Sequence, residues 1–152
     1  MPCDATCDGC SLSSTNCILC ASGSFRQIGS NACGSCAAGY YGDASTILCT
    51  VCPVGCSACT SATVCSACQA VAGVSYHLLS GECLSVCPST HFNDSTNGVC
   101  TACANPCVTC VGPSTACLTC NASTVLNFGT TTCSATCPAG EYDGGSGQCE
   151  QC

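Results

Sequence analysis

Apolar side chains are scattered along this chain without a helical rhythm: no segment keeps 3.6-residue periodicity over ten residues. What punctuates it is turn chemistry. AGYYGD at 38–43, NDSTNG at 93–98 and DGGSGQ at 143–148 carry the Gly, Asn and Asp that reverse a backbone cheaply. The pattern predicts short two-stranded ribbons and turns with little or no helix. Between Asp43 and Glu82 no residue carries a full charge, but Gly, Ser, Thr and Pro interrupt the stretch repeatedly, so it does not read as a membrane span. The most apolar insertion is VAGVSYHLL, residues 71–79, which reads first as a packing surface between neighbouring units or molecules.

Leu, Ile, Val and Phe number only 24 of 152 residues, and there is no Trp. That is below the roughly 20% at which a packed interior becomes doubtful. The positive mean hydropathy of +0.41 comes essentially from cysteine. Ordering a residue costs about 1–2 kcal/mol, so something covalent must replace the missing core.

Cysteine supplies it, at 25 of 152 residues. Such density marks a disulfide scaffold, which persists outside the cell or in the secretory lumen. Residues 1–20 have no basic start and no apolar run, so no signal peptide is read there, and the sequence is expected to be a mature chain or a segment of something longer. Net charge is −7, and Arg26 is the one residue among Lys and Arg. A single arginine cannot neutralise a row of phosphates, which argues against nucleic acid and anionic membrane as partners.

The cysteine spacing repeats. From Cys49 the gaps run 2, 3, 2, 5, 2, 14, 3 and 12 to Cys100, and from Cys100 they run 2, 3, 2, 6, 2, 12, 3 and 11 to Cys149. Cys3 enters at the second position of the same unit, with gaps of 3, 2, 6, 2, 12, 2 and 12 to Cys49. Repeats are therefore expected over 1–48, 49–99 and 100–148, with a fourth begun at 149–152. An aromatic falls five residues after the last cysteine of each, at Tyr41, Phe92 and Tyr142, followed closely by Asp43, Asp94 and Asp143.

These positions, C-x2-C-x3-C-x2-C, then C-x2-C, a longer loop, C-x3-C-P and an aromatic-Asp turn, resemble furin-like repeats, which also build the cysteine-rich domains of growth-factor receptors. The low-charge Ser, Thr, Ala and Gly filling is similar to that of cysteine-rich surface proteins of protists such as ciliate immobilisation antigens. CGSCAAG at 33–39 departs from the pattern in its spacing of two and in Ala37 replacing proline. Spacing by itself leaves connectivity open. The resemblance implies Cys3–Cys10, Cys7–Cys17, Cys20–Cys33 and Cys36–Cys49 in the first repeat, and Cys52–Cys59, Cys56–Cys65, Cys68–Cys83 and Cys87–Cys100 in the second. In the third it implies Cys103–Cys110, Cys107–Cys117, Cys120–Cys133 and Cys137–Cys149. Cys152 is left over, unpaired or bonded beyond the unit. A closed loop of about 15 residues contributes roughly 3 kcal/mol in the chain-entropy model, so twelve local staples could compensate for the core. Bonds this local imply an elongated rod with neighbour-only energetics.

Other chemistry fares worse. Ten C-x2-C pairs suit zinc, but six Zn(Cys)4 sites would add about −12 to an acidic chain. A thiol oxidoreductase needs its C-x2-C at the head of a helix in a βαβ unit. His77 and His91 occupy different repeat positions and have no acid–base set to join, so no catalytic residue, metal site or cofactor is expected. One carboxylate per turn is too few for calcium. Asn93 in NDS and Asn121 in NAS are N-glycan acceptor sequons, and the Ser and Thr content also suits O-linked sugars.

The expectation is a structural, non-enzymatic extracellular protein, a stapled repeat that self-associates into a surface coat or filament. The alternative is a ligand-binding receptor ectodomain segment or a variable cell-surface antigen, for which Tyr76 in the apolar insertion is the nearest candidate anchor.

Overall fold

The computed structural model describes residues 2–152. It is a small disulfide-rich fold of short antiparallel ribbons, and among the described residues there is no helix, hence none long and apolar enough to cross a membrane. The chain divides into two compact units, one ending at Cys83 and the other starting at Leu84.

The first unit opens with a ribbon in which Cys7 faces Cys20 and Cys10 faces Cys17. Strands β1 (Phe25–Arg26) and β2 (Cys33–Gly34) form one hairpin, β3 (Tyr40–Asp43) and β4 (Leu48–Val51) another. They join as a sheet ordered β2-β1-β4-β3, with Arg26 and Leu48 as a parallel pair. β5 (Cys56–Cys59) and β6 (Cys65–Cys68) then repeat the opening ribbon, Cys56 facing Cys68 and Cys59 facing Cys65. β7 (His77–Leu79) and β8 (Glu82–Leu84) turn through Ser80 and Gly81, both at positive φ.

The second unit takes up the same cycle of parts from a different starting point. β9 (His91–Asp94) pairs with β10 (Val99–Ala102), and β11 (Cys107–Cys110) with β12 (Cys117–Cys120), where Cys107 faces Cys120 and Cys110 faces Cys117. β13 (Val125–Leu126) pairs with β14 (Cys133–Ser134), and β15 (Glu141–Asp143) with β16 (Cys149–Gln151). Leu126 meets Gln148 in a parallel bridge, as Arg26 meets Leu48 in the first unit. Each ribbon is tied to the loop after it by the same backbone bond. The N–H of Cys17, Cys65 and Cys117 donates to the carbonyl of Asn31, Gly81 and Thr131 at 3.0, 2.7 and 2.7 Å.

The hairpin turns lie slightly downstream of one sequence expectation. YYGD is strand, and the reversal falls at Ala44–Ile47; in NDSTNG it falls at Ser95–Gly98. The preceding aspartate closes each turn. Ser45 donates from N and Oγ to Asp43 Oδ1 at 2.9 and 2.6 Å. Thr96 N and Asn97 N donate to Asp94 Oδ1 at 3.1 and 3.2 Å, and Gly145 N donates to Asp143 Oδ1 at 2.8 Å.

Among the described residues, apart from the backbone at Gly55, the buried ones are eleven cysteines and His77. Many large apolar side chains stay outside: Leu12 is 99% exposed, Val54 and Val86 75% each. Cystine sulfur is therefore the interior of this protein, and covalent closure takes over the role that hydrophobic burial plays in a larger core.

Candidate functional site

Twelve disulfides close, with Cα–Cα distances of 5.0–5.8 Å. Within the first unit they are Cys3–Cys10, Cys7–Cys17, Cys20–Cys33, Cys36–Cys49, Cys52–Cys59, Cys56–Cys65 and Cys68–Cys83. Within the second they are Cys87–Cys100, Cys103–Cys110, Cys107–Cys117, Cys120–Cys133 and Cys137–Cys149. The pairs coincide with those that the resemblance to furin-like repeats implies. They also show how each ribbon is held. Cysteines that face each other across a ribbon do not bond each other. Cys107 faces Cys120 but bonds Cys117 diagonally, Cys110 reaches back to Cys103, and Cys120 reaches forward to Cys133. The ribbons at Cys7–Cys20 and Cys56–Cys68 carry the same three bonds.

Cys152 is the free cysteine among the described residues, and it is exposed. Its backbone sits where Cys52 and Cys103 sit. Cys52 N donates to Gly39 O at 2.8 Å, Cys103 N to Thr90 O at 2.9 Å and Cys152 N to Gly140 O at 3.1 Å.

The two sequons differ in setting. Asn93 is exposed on β9, and its Oδ1 accepts from Cys87 N at 3.1 Å. Asn121 is half-buried and more tightly held. Its Oδ1 accepts from Ser123 N at 3.1 Å and Thr124 Oγ1 at 2.9 Å, while Nδ2 donates to Asn105 Oδ1 at 3.1 Å. A glycan on Asn121 would take one of the two Nδ2 hydrogens and leave the other for the bond to Asn105, and one on Asn93 would leave its Oδ1 bond in place.

His77 is 4% exposed and its Nδ1 has no hydrogen-bond partner. His91 Nδ1 lies 2.9 Å from Thr90 Oγ1. Among the described residues, the one group of three metal-capable side chains with ligand atoms within 4.8 Å of one another is Cys56, Cys65 and Cys83, and all three sulfurs are already in disulfides.

Two features break the repeat, and sequence reading found neither role. Arg26 occupies the strand position that Leu126 holds in the second unit, each opposite the second-strand cysteine of its hairpin. It donates to Asn31 Oδ1 at 2.9 Å and to the Ile18 carbonyl at 3.0 Å, beside an open cleft of about 500 Å³ lined also by Gln27, Ser30 and Leu48. Tyr76, in the insertion read from sequence first as a packing surface, packs on Gly55: a Cβ at Gly55 would meet its Cδ1 at 2.6 Å.

No family model matches the chain, and no curated protein is detectably similar to it. Fold and cystines define its class as a small disulfide-rich protein of repeated β-ribbon units.

Proposed function

We propose that the chain is a structural, non-enzymatic extracellular protein of the furin-like-repeat kind, a stapled repeat that builds a surface coat or filament. The observation that carries this reading is the threefold recurrence of one staple set. Each ribbon is locked diagonally within itself, backward to the cysteine before it and forward to the hairpin after it, so the arrangement propagates by simple repetition. Heterologous contacts between identical repeats, where they do not close into a ring, generate filaments. A fold held by disulfides suits an oxidising, secreted setting, and glycans at Asn93 or Asn121 would fit an outer surface. Electron microscopy of native material tests it. An axial periodicity commensurate with the repeats is expected; isolated monomers with no axial order under native conditions would defeat the filament.

A second reading, ligand recognition by an ectodomain segment or surface antigen, is favoured by the cleft beside Arg26, where the one cationic side chain breaks the repeat. If the soluble chain captured a defined partner and Arg26→Leu removed that capture with the disulfides intact, recognition would displace the coat.

A further inference from the structure

The second repeat differs from its neighbours in both of its central loops. Its diagonal staple, Cys56–Cys65, spans 9 residues where Cys7–Cys17 and Cys107–Cys117 span 10. Its forward staple, Cys68–Cys83, spans 15 where Cys20–Cys33 and Cys120–Cys133 span 13. With these lengths the two bonds converge. The Cys83 sulfur lies within 4.8 Å of both Cys56 and Cys65 sulfurs, an approach that the described residues do not repeat in the other two ribbons.

Burial gives this cluster a direction. Cys56 and Cys65 are 3% and 6% exposed, sealed in a small core with Cys52, Leu78 and Cys83. Cys68 and Cys83 are half-buried. A thiolate from solvent can reach the outer bond but not the inner one.

We propose that Cys68–Cys83 is a site of S-thiolation by low-molecular-weight monothiols of the glutathione class, and that its opening is passed inward to Cys56–Cys65. In the first step the external thiolate attacks Cys68 Sγ. A sulfur–sulfur bond forms there, the Cys68–Cys83 bond breaks, and the electron pair leaves on Cys83. In the second step the Cys83 thiolate attacks Cys56 or Cys65 Sγ, forming a new disulfide and displacing the other sulfur, which takes a proton from water. The protein gains one external thiol and ends with one buried cysteine thiol. A neutral thiol in an apolar setting is a poor nucleophile, so the exchanged state persists until an external thiol reopens it.

The test uses the full oxidised chain in a reduced and oxidised glutathione buffer, quenched in acid to protonate thiolates and stop exchange, then digested with pepsin and mapped without reduction. The expected products carry glutathione on Cys68 together with a Cys65–Cys83 or Cys56–Cys83 link. The Cys120–Cys133 bond, also between half-buried cysteines, is the internal control and is expected to yield no link to Cys107 or Cys117. In the double variant Cys68→Ser/Cys83→Ser, the Cys56–Cys65 bond is expected to survive the same buffer. Glutathione on Cys68 with Cys83 left as a thiol beside an intact Cys56–Cys65 bond would overturn the inward transfer. Equal scrambling in the third repeat, or no adduct on Cys68 at all, would overturn the assignment of the site. The wild-type map decides even where the double variant does not fold.

Discussion

The ring of Tyr76 lies against the α-carbon of Gly55, filling the space where any other residue would place its Cβ. Gly55 also sits at a φ of +84°, a region costly for L side chains. The equivalent positions before the ribbons of the first and third repeats carry Thr6 and Pro106, so the glycine and the tyrosine belong together. Gly55→Ala is expected to destabilise the first unit by about 1–3 kcal/mol, read by denaturant unfolding with the disulfides intact. Tyr76→Ala is expected to cost about 2 kcal/mol, short of the ~3–5 kcal/mol of fully buried aromatics because Tyr76 is half-buried. In a double-mutant cycle, Gly55→Ala should cost less when Tyr76 is already alanine, leaving only the backbone share. Strict additivity would show that the ring does not press on Gly55. A partner-binding assay on Tyr76→Ala alone would therefore confound recognition with packing.

Much of this fold was legible because cysteines and turn residues carry it. The cysteine gaps recur in step with the three cysteine ribbons, although the sequence predicts ribbons only as a type and not at those cysteines. The aromatics five residues after Cys36, Cys87 and Cys137 fall at one structural position, Tyr41 opposite Thr50, Phe92 opposite Thr101 and Tyr142 opposite Glu150. The aspartate register is less regular. Asp43 and Asp94 face Leu48 and Val99, but Asp143 faces Cys149, because it directly follows Tyr142, where Gly42 and Asn93 stand between aromatic and aspartate in the other two hairpins. Long-range matching was not legible. Nothing local to VAGVSYHLL says that Tyr76 pairs with a glycine twenty-one residues earlier, or that His77 is buried. The convergence of Cys83 on Cys56 and Cys65 depends on two loop lengths acting together, which a list of gaps records without revealing.

Arg26 is the one site for trypsin-class proteases in the chain. It is held in β1 between β2 and β4, and its guanidinium is engaged by Asn31 and the Ile18 carbonyl. A protease needs that backbone extended and free, so cleavage requires local opening. Folded chain is expected to be cut about a hundredfold more slowly than reduced, alkylated chain, corresponding to about 2.8 kcal/mol of opening free energy. Where a cut does occur without reduction, Cys20–Cys33 keeps the two fragments joined. Mass spectrometry with and without reduction reads both effects. Equal cleavage rates would mean that β1 is not closed in solution.

The turn aspartates make their own turns sensitive to acid. The carboxyl of Asp94 is held below its ordinary range by the hydrogen bond from the Asn97 side chain, then by the backbone of Asn97, and that of Asp43 by Ser45. A folded value below the unfolded one, about 3.9, means that the turn's contribution is fully present above the unfolded value and is lost as pH falls through the folded value. Amide exchange at Thr96, Asn97 and Ser45 is therefore expected to quicken, relative to strand amides, only as pH drops below about 4. Asp94→Asn should remove that dependence at Thr96 and Asn97 and leave Ser45 unchanged. A carboxyl NMR titration placing Asp94 at or above the ordinary value would contradict the turn geometry.

The opposite pH dependence lies in the last hairpin. Tyr142 and Glu150 face each other across β15 and β16, and the Tyr142 hydroxyl donates to Glu150 Oε2 at 2.8 Å. That bond, with the carboxylate's charge, raises the Tyr142 pKa, since ionising the phenol would lose the donated proton and set two negative charges side by side. A folded value above the unfolded one reverses the sign found for the aspartates. The pair's contribution is fully present below the unfolded tyrosine value, about 10, and is lost as pH rises through the folded value. Both groups are exposed, so the effect is local to the hairpin and weakens with salt. Glu150→Gln is expected to bring the Tyr142 titration midpoint down, followed by NMR of the ring carbon bearing oxygen, while Glu141→Gln moves it less. Should Glu150→Gln leave that midpoint in place, the cross-strand bond does not persist in solution, and the register of β15 on β16 would have to rest on Cys137–Cys149 and the backbone alone.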